Sequence, residues 1–165
     1  MAGFLSRLGQ PGGTKTYKDR VYGISIEYPK SWKKKDGMRE AVVLFMAPRT
    51  SPAQVFTANI NITVQDLTGQ DLTLDEYVHT TIEREKQFIA DYELINIEPA
   101  TMAGHPACQI TFAGKHGYTP LRFIQLCTLK NHRAYAITCA AEAKEFPSFM
   151  VQARQVIDSL RIEER

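Results

Sequence analysis

The strongest pattern in this sequence is a helical one near its end. Apolar residues there recur in steps of three and four, which places them on one stripe of an α-helix: Phe146, Phe149, Met150, Ala153, Val156, Ile157 and Leu160. Pro147 fits the first turn of such a helix, where its missing amide hydrogen would have had no partner. Because an apolar stripe must be buried, the pattern predicts a helix over residues 146–160 packed on a sheet.

Alternation of apolar and polar residues predicts the sheet itself. It is cleanest from Ala58 to Gln65, where alanine, isoleucine and valine face one way and amide or hydroxyl side chains face the other. The other strands are predicted over residues 24–28, 41–47, 93–98, 107–113, 121–129 and 133–139.

The last two of these strands predict a hairpin. If Asn131 and His132 form a two-residue loop, the opposed pairs are Cys127 with Ala136 and Cys139 with Ile124. Side-chain alternation then sends the two thiols to opposite faces. Apolar residues occur on both faces of the hairpin, so the sheet requires cover on both sides.

A second helix is predicted after the LTGQD turn. Thr73 and Glu76 have the spacing of a capping box, in which each side chain accepts a hydrogen bond from an amide of the first turn. Residues 83–86 mark the solvated face of this helix. The order of elements predicts an α+β fold: a mostly antiparallel sheet of about seven strands with helices packed on it as an α/β/α sandwich.

The predicted domain begins at Tyr17. Residues 1–16 end in the Gly- and Pro-containing run GQPGGTKT and are predicted to be a flexible N-terminal arm. Residues 17–165 are predicted to form one domain, long enough to bury a core without disulfides or metals. Within it, Lys30 to Arg39 is predicted to be a polar connection between strands.

Charge and hydropathy exclude several classes of protein. Twenty lysine and arginine residues against eighteen aspartate and glutamate residues leave a net charge of +2, too little for general nucleic-acid binding. No apolar run approaches the ~20 residues of a membrane-spanning helix. The first residues lack the apolar region of a signal peptide, so we expect a cytoplasmic protein, although a chain without its natural leader would look the same.

The reactive residue types show no catalytic or metal-binding spacing. Cys108, Cys127 and Cys139 lie in apolar strands without a CxxC pattern, which favours buried thiols over a zinc site or a disulfide framework. The serines lack a GxSxG context, and the four histidines form no HExxH motif. We therefore expect no catalytic residue, no metal site and no cofactor, and a protein that is not an enzyme.

The polar side of the strand over residues 58–65 is the first candidate binding surface. Its members are Asn59, Asn61, Thr63 and Gln65. These amide and hydroxyl groups are able to satisfy the hydrogen-bonding groups of a bound peptide if the helices leave that face partly open. The alternative is a face that is simply wetted by solvent, as is common in antiparallel sheets.

The second candidate is the lysine run Lys33, Lys34 and Lys35 beside Trp32. Such a run is able to dock an acidic partner or an anionic surface. A solvated loop is the commoner meaning of a run of like charges.

Several segments of the chain resemble the PsbP-like superfamily: YGISIEYPKSW, TLDEYV, TMAGHPACQITFAG, HRAYAITCAA and FPSFMVQARQVIDSLRI. The resemblance extends from Tyr17 to Ile162. The group includes the extrinsic photosystem II protein PsbP and its cyanobacterial relatives, a yeast Ran-binding nuclear import factor, and small bacterial proteins that include secretion-effector chaperones. It implies a shared scaffold without a shared site, and none of the matched positions is catalytic.

An intact fold without reactive groupings predicts a non-catalytic protein-binding or assembly module, such as a chaperone. Its expected partner is an unidentified protein. The alternative is a small-ligand or metal-ion binding protein with a pocket between a helix and the sheet.

Overall fold

A seven-stranded antiparallel sheet forms the centre of the fold, as predicted. The computed structural model describes residues 12–39 and 41–164. Ten strands lie within them: β1 (Thr14–Asp19), β2 (Ile24–Pro29), β3 (Lys33–Asp36), β4 (Val43–Met46), β5 (Asn59–Asp66), β6 (Ala90–Met102), β7 (His105–His116), β8 (Thr119–Lys130), β9 (Arg133–Glu142) and β10 (Arg161–Ile162). The main sheet has the order β3-β4-β5-β9-β8-β7-β6, so β3 and β6 are its edges.

A separate three-stranded antiparallel sheet has the order β1-β2-β10. Its first strand corrects the predicted boundary of the N-terminal arm, because residues 14–16 belong to β1. Tyr17 is buried opposite Ile26, and β1 pairs with β2 along its whole length. Residues 1–11 of the predicted arm lie outside the described residues.

Two helices cover the main sheet from opposite sides. The first, α1 (Leu74–Phe88), packs on β6, β7 and β8; the second, α2 (Phe146–Asp158), packs on β9 and on β2. The predicted capping box opens α1, since the Glu76 N–H donates to Thr73 Oγ1 at 3.1 Å and the Thr73 N–H donates to Glu76 Oε1 at 3.2 Å. Within residues 12–39 and 41–164, no helix has both the length and the hydropathy of a membrane span.

A hydrophobic core lies on each face of the main sheet, which confirms the prediction that both faces are covered. Strand β9 contributes to both cores by alternation. Tyr135 and Ile137 belong to the core on the α2 side, whereas Ala134 and Ala136 belong to the core on the α1 side.

The β8–β9 hairpin has the predicted register, with Cys127 opposite Ala136 and Cys139 opposite Ile124. Asn131 and His132 form its turn with φ angles of 56° and 57°. A two-residue turn of type I′ needs positive φ at both positions, which asparagine and histidine tolerate better than most residues. The two thiols consequently lie in different cores.

The segment Lys30–Arg39 differs from its predicted role as a polar connection. Its residues Lys33–Asp36 form strand β3, which pairs with β4 from Lys33 opposite Met46 to Asp36 opposite Val43. Lysines are well tolerated there because an edge strand has a neighbour on one side only. Pairing with β4, rather than any pattern within the segment, makes it a strand.

Candidate partner-binding face

The main sheet is only partly covered on the α1 side. Helix α1 makes its main contacts with β6, β7 and β8. The polar side chains of β5 point to this side, because Thr63 lies opposite Ala136 of the α1-side core. Asn59, Asn61 and Thr63 are half-buried, and Gln65 is exposed. The partly open face that a peptide-binding role requires is therefore present.

Two of the three predicted lysines lie on this same face. Lys35 is opposite Leu44, which is opposite Asn61; Lys33 is opposite Met46, which is opposite Asn59. Directly opposed residues of an antiparallel sheet share a face. We call this surface the open face, and it consists of Lys33, Lys35, Leu44, Met46, Asn59, Asn61, Thr63 and Gln65.

The other two residues of the second candidate set, Lys34 and Trp32, do not reach the open face. Lys34 points to the opposite side, where its ammonium pairs with Asp36 at 2.9 Å and lies 5.4 Å from the ring centroid of Tyr17. The hydrogen bond to Asp36 raises the pKa of Lys34. Trp32 is 4% exposed and stacks on Phe149 of α2 at 5.7 Å between ring centroids. Its indole is a core group rather than a surface anchor.

A half-buried carboxyl group borders the open face beneath α1. Burial raises the pKa of Glu85 from 4.5 to about 7, although Gln125 and the Arg84 guanidinium act in the opposite direction. Gln125 Nε2 donates to Thr138 Oγ1 at 2.9 Å, and Thr138 lies opposite Asn61 of the open face. Within the described residues, Glu85 Oε2 and Gln125 Oε1 have no hydrogen-bond partner. Gln125 and Thr138 therefore lie between Glu85 and the open face.

Stability should depend on pH through Glu85. Because its folded pKa lies above its unfolded value, the folded state binds the proton more tightly, and the free energy of unfolding falls as pH rises from 4.5 through about 7. E85Q keeps the shape of the side chain and removes the titration. We expect E85Q and wild type to have similar stability near pH 4.5 and E85Q to be the more stable near pH 8, measured by urea unfolding.

The matched control is E83Q, because Glu83 lies on the exposed side of α1 and pairs with Lys86 at 3.0 Å. Its stability should follow the pH dependence of wild type. Parallel stability curves for E85Q and wild type would show that Glu85 ionises in the folded state as it does in the unfolded chain.

The cysteines are placed where thiolate chemistry is suppressed. Burial raises the pKa of Cys127 and of Cys139 to about 12, and it also raises that of Cys108. A thiol that stays protonated is a poor nucleophile and a poor metal ligand. In the part of the chain that the structure describes, no three histidine, cysteine, aspartate or glutamate side chains form a metal-binding group.

The fold and this face can be compared with known proteins. The profile of the family described as PsbP-like protein matches residues 10–162. The chain belongs to the PsbP-like protein family. No curated protein matches this PsbP-like chain in sequence.

Solved structures show the same fold. CyanoP, the cyanobacterial PsbP of Synechocystis sp. PCC 6803, has a TM-score of 0.68 at 15% identity, over 92% of this PsbP-like chain and 94% of CyanoP. LpqN of Mycobacterium tuberculosis, a protein involved in cell envelope biogenesis, has a TM-score of 0.62 at 13% identity, over 94% and 87% of the two chains. A variant of the protein Mog1 has a TM-score of 0.59 at 6% identity, over 91% and 96%. At sequence identities this low, the similarity shows a shared fold and does not show a shared function.

Proposed function

We propose that this protein is a non-catalytic protein-binding or assembly module that engages a protein partner through the open face. The observation that supports this proposal is that two candidate sets of residues, distant in the sequence, lie on the same half-open face. These sets are the polar residues of β5 and the lysines of β3, and the register of β3, β4 and β5 brings them together. If these residues served only the stability of the fold, the polar residues of β5 and the lysines of β3 would not need to lie on the same face.

The open face combines three kinds of contact. Asn59, Asn61 and Thr63 supply groups that donate and accept hydrogen bonds. Leu44 and Met46 are half-buried and supply apolar surface, and the flexible thioether of methionine adapts to partners of different shape. The ammonium groups of Lys33 and Lys35 flank that apolar surface. A polypeptide segment laid on the face meets all three.

Quantitative pull-down from native extract tests the proposal. The double variant N61A/T63A removes polar groups of the open face without touching either core, and N96A removes an exposed amide on the opposite edge strand β6 as the matched control. For a protein retained by wild type, we expect N61A/T63A to weaken binding by about tenfold, a loss of about 1.4 kcal/mol. N96A should bind like wild type.

Circular dichroism and thermal unfolding establish that both variants remain folded. Equal losses in N61A/T63A and N96A, or specific retention that neither variant changes, would move the binding surface away from the open face.

The alternative of a carrier with a pocket between a helix and the sheet has less support. Two clefts, of about 530 and 540 Å³, lie mainly at loops and element ends. A smaller cleft of about 290 Å³ lies beside α2, lined by Phe149 and Gln152 of that helix and by Ala47 and Ala58 next to β4 and β5. Of the two larger clefts, one is lined mainly by residues 36–42 and the ends of β1 and β5, and the other by the β6–β7 turn, the last residues of α2 and the residues that follow it. The carrier function stays a prediction.

A further inference from the structure

A cleft of about 460 Å³ opens at one end of the open face. It is lined by Ser31, Lys33, Met46, Ala47, Pro48, Arg49 and Thr57. Two of these residues, Lys33 and Met46, are members of the open face. A polypeptide on the open face therefore reaches this cleft without leaving the surface of the protein.

The charge in the cleft has one sign. Seven residues line the cleft, and of these only Lys33 and Arg49 carry a charge. Both side chains are exposed. Neither of them forms an ion pair with a carboxylate among the described residues. Ser31 and Thr57 add hydroxyl groups to the same lining. The cleft thus presents two cations and two hydroxyls to an anionic group.

Arg49 is held in place by the loop that follows β4. Its guanidinium donates a hydrogen bond to the backbone carbonyl of Gln54. The side chain of Gln54 is itself fixed, because its Oε1 accepts from the Thr50 N–H at 2.8 Å and its Nε2 donates to the Phe56 carbonyl at 2.9 Å. A guanidinium has five N–H donors, so this tether leaves others for a ligand while limiting the motion of the side chain.

The rest of the cleft is apolar and consists of Met46, the last residue of β4, and of Ala47 and Pro48, which follow it. Such a lining suits an anion that is attached to an apolar body rather than a free inorganic ion. Lys33 and Lys35 are also two residues apart on a strand, which separates their side chains by about 6.6 Å along it. Acidic side chains at alternate positions of an extended polypeptide have the same spacing.

We infer that the partner segment bound by the open face is an extended, acidic and apolar polypeptide, with one carboxylate seated in the cleft between Lys33 and Arg49 and a second one beside Lys35. This inference rests on the proposed function and adds the chemistry of the partner. Apolar side chains of the segment lie on Leu44 and Met46, and its backbone meets the polar groups of β5.

Protection of the sheet edge is the competing explanation for these lysines, because charged residues on an edge strand prevent association between sheets. The two explanations differ in outcome. A charge at any position of β3 is enough for edge protection. A carboxylate site needs Lys33 and Arg49 in particular and gives no role to Lys34.

Binding of two synthetic peptides tests the inference. One capped peptide carries glutamate at alternate positions with leucine and valine between them, and the other replaces each glutamate by glutamine. We expect the glutamate peptide to bind at least about tenfold more tightly than the glutamine peptide at low salt, since charge-assisted contacts are lost in the second. The preference should shrink at high ionic strength, where exposed charges are screened.

Variants locate the site. K33Q and R49Q should each weaken the glutamate peptide by about fivefold, and K34Q, the matched control on the other side of β3, should leave it unchanged. Amide signals of Lys33, Met46, Arg49 and Thr57 should shift on titration in NMR spectra.

Several results would overturn the inference. These are equal affinity for both peptides, no binding of either at millimolar concentration, an equal effect of K34Q, or loss of solubility in K33Q and R49Q with binding unchanged. Failure here is separable from failure of the proposed function. If N61A/T63A weakens a retained partner while K33Q and R49Q do not, the open face is the binding surface and its partner is not acidic.

Discussion

Replacing Trp32 by alanine is expected to lower the free energy of unfolding by about 3–5 kcal/mol, the range for truncating a buried aromatic residue. The indole is 4% exposed and belongs to the α2-side core. It stacks on Phe149 with 5.7 Å between ring centroids and 20° between ring planes. Its removal leaves a cavity between α2 and the start of β3. Urea unfolding at neutral pH measures the loss.

Trp32→Phe is the matched variant, because it keeps an aromatic ring against Phe149 while removing part of the buried volume. Its cost should be well below that of Trp32→Ala. K33Q changes the adjacent exposed residue and should lie within about 0.5 kcal/mol of wild type. A loss of less than about 1 kcal/mol for Trp32→Ala would mean that the indole is not part of the core, since buried aromatic truncations cost more.

Local patterns were sufficient to predict most of the fold. The alternation in β5, the capping box of Thr73 and Glu76, and the turn residues between β8 and β9 each act within a few residues. Their structural consequences are set by side-chain periodicity and by backbone hydrogen bonds close in the chain. The predicted register of the β8–β9 hairpin is confirmed for the same reason.

Elements that depend on distant partners were not predictable in this way. The residues of β3 are three lysines and an aspartate, without any apolar alternation, and they form a strand because β4 offers an edge. Strand β10 has two residues and exists through its pairing with β2, more than 130 positions earlier in the chain. Sequence periodicity contains no signal for such pairings.

The candidate site likewise has a part that local patterns predict and a part that they do not. Alternation in the sequence predicts the polar side of β5, whereas the position of Lys33 and Lys35 on the same face depends on the register of β3, β4 and β5. The charged run over residues 83–86 predicts Glu85 on the solvated face of α1, and the structure corrects this. It lies three residues after Ile82 and four after Thr81, both buried, so helical periodicity already placed it on the inner side.

Gly114 of β7 is expected to be intolerant of any side chain. A Cβ at this position would collide with Cγ2 of Ile89 and lie 3.2 Å from the backbone oxygen of Ala90. Ile89 is the C-cap of α1 and packs against the α1-side core. Gly114→Ala should therefore push the end of α1 from the sheet at a cost of about 1–3 kcal/mol, and Gly114→Val should cost more.

A double-mutant cycle identifies the collision with Ile89 as the cause. Ile89→Ala removes the atom that a new Cβ would meet, so Gly114→Ala should cost less in that background, with a coupling energy of at least about 0.5 kcal/mol in urea unfolding. Gly117→Ala is the control glycine: it has a φ of 60° and open space around it, so its cost is backbone strain. That cost should be the same with and without Ile89→Ala. Additive effects of Gly114→Ala and Ile89→Ala would instead place the constraint on Gly114 in the nearby backbone of β6.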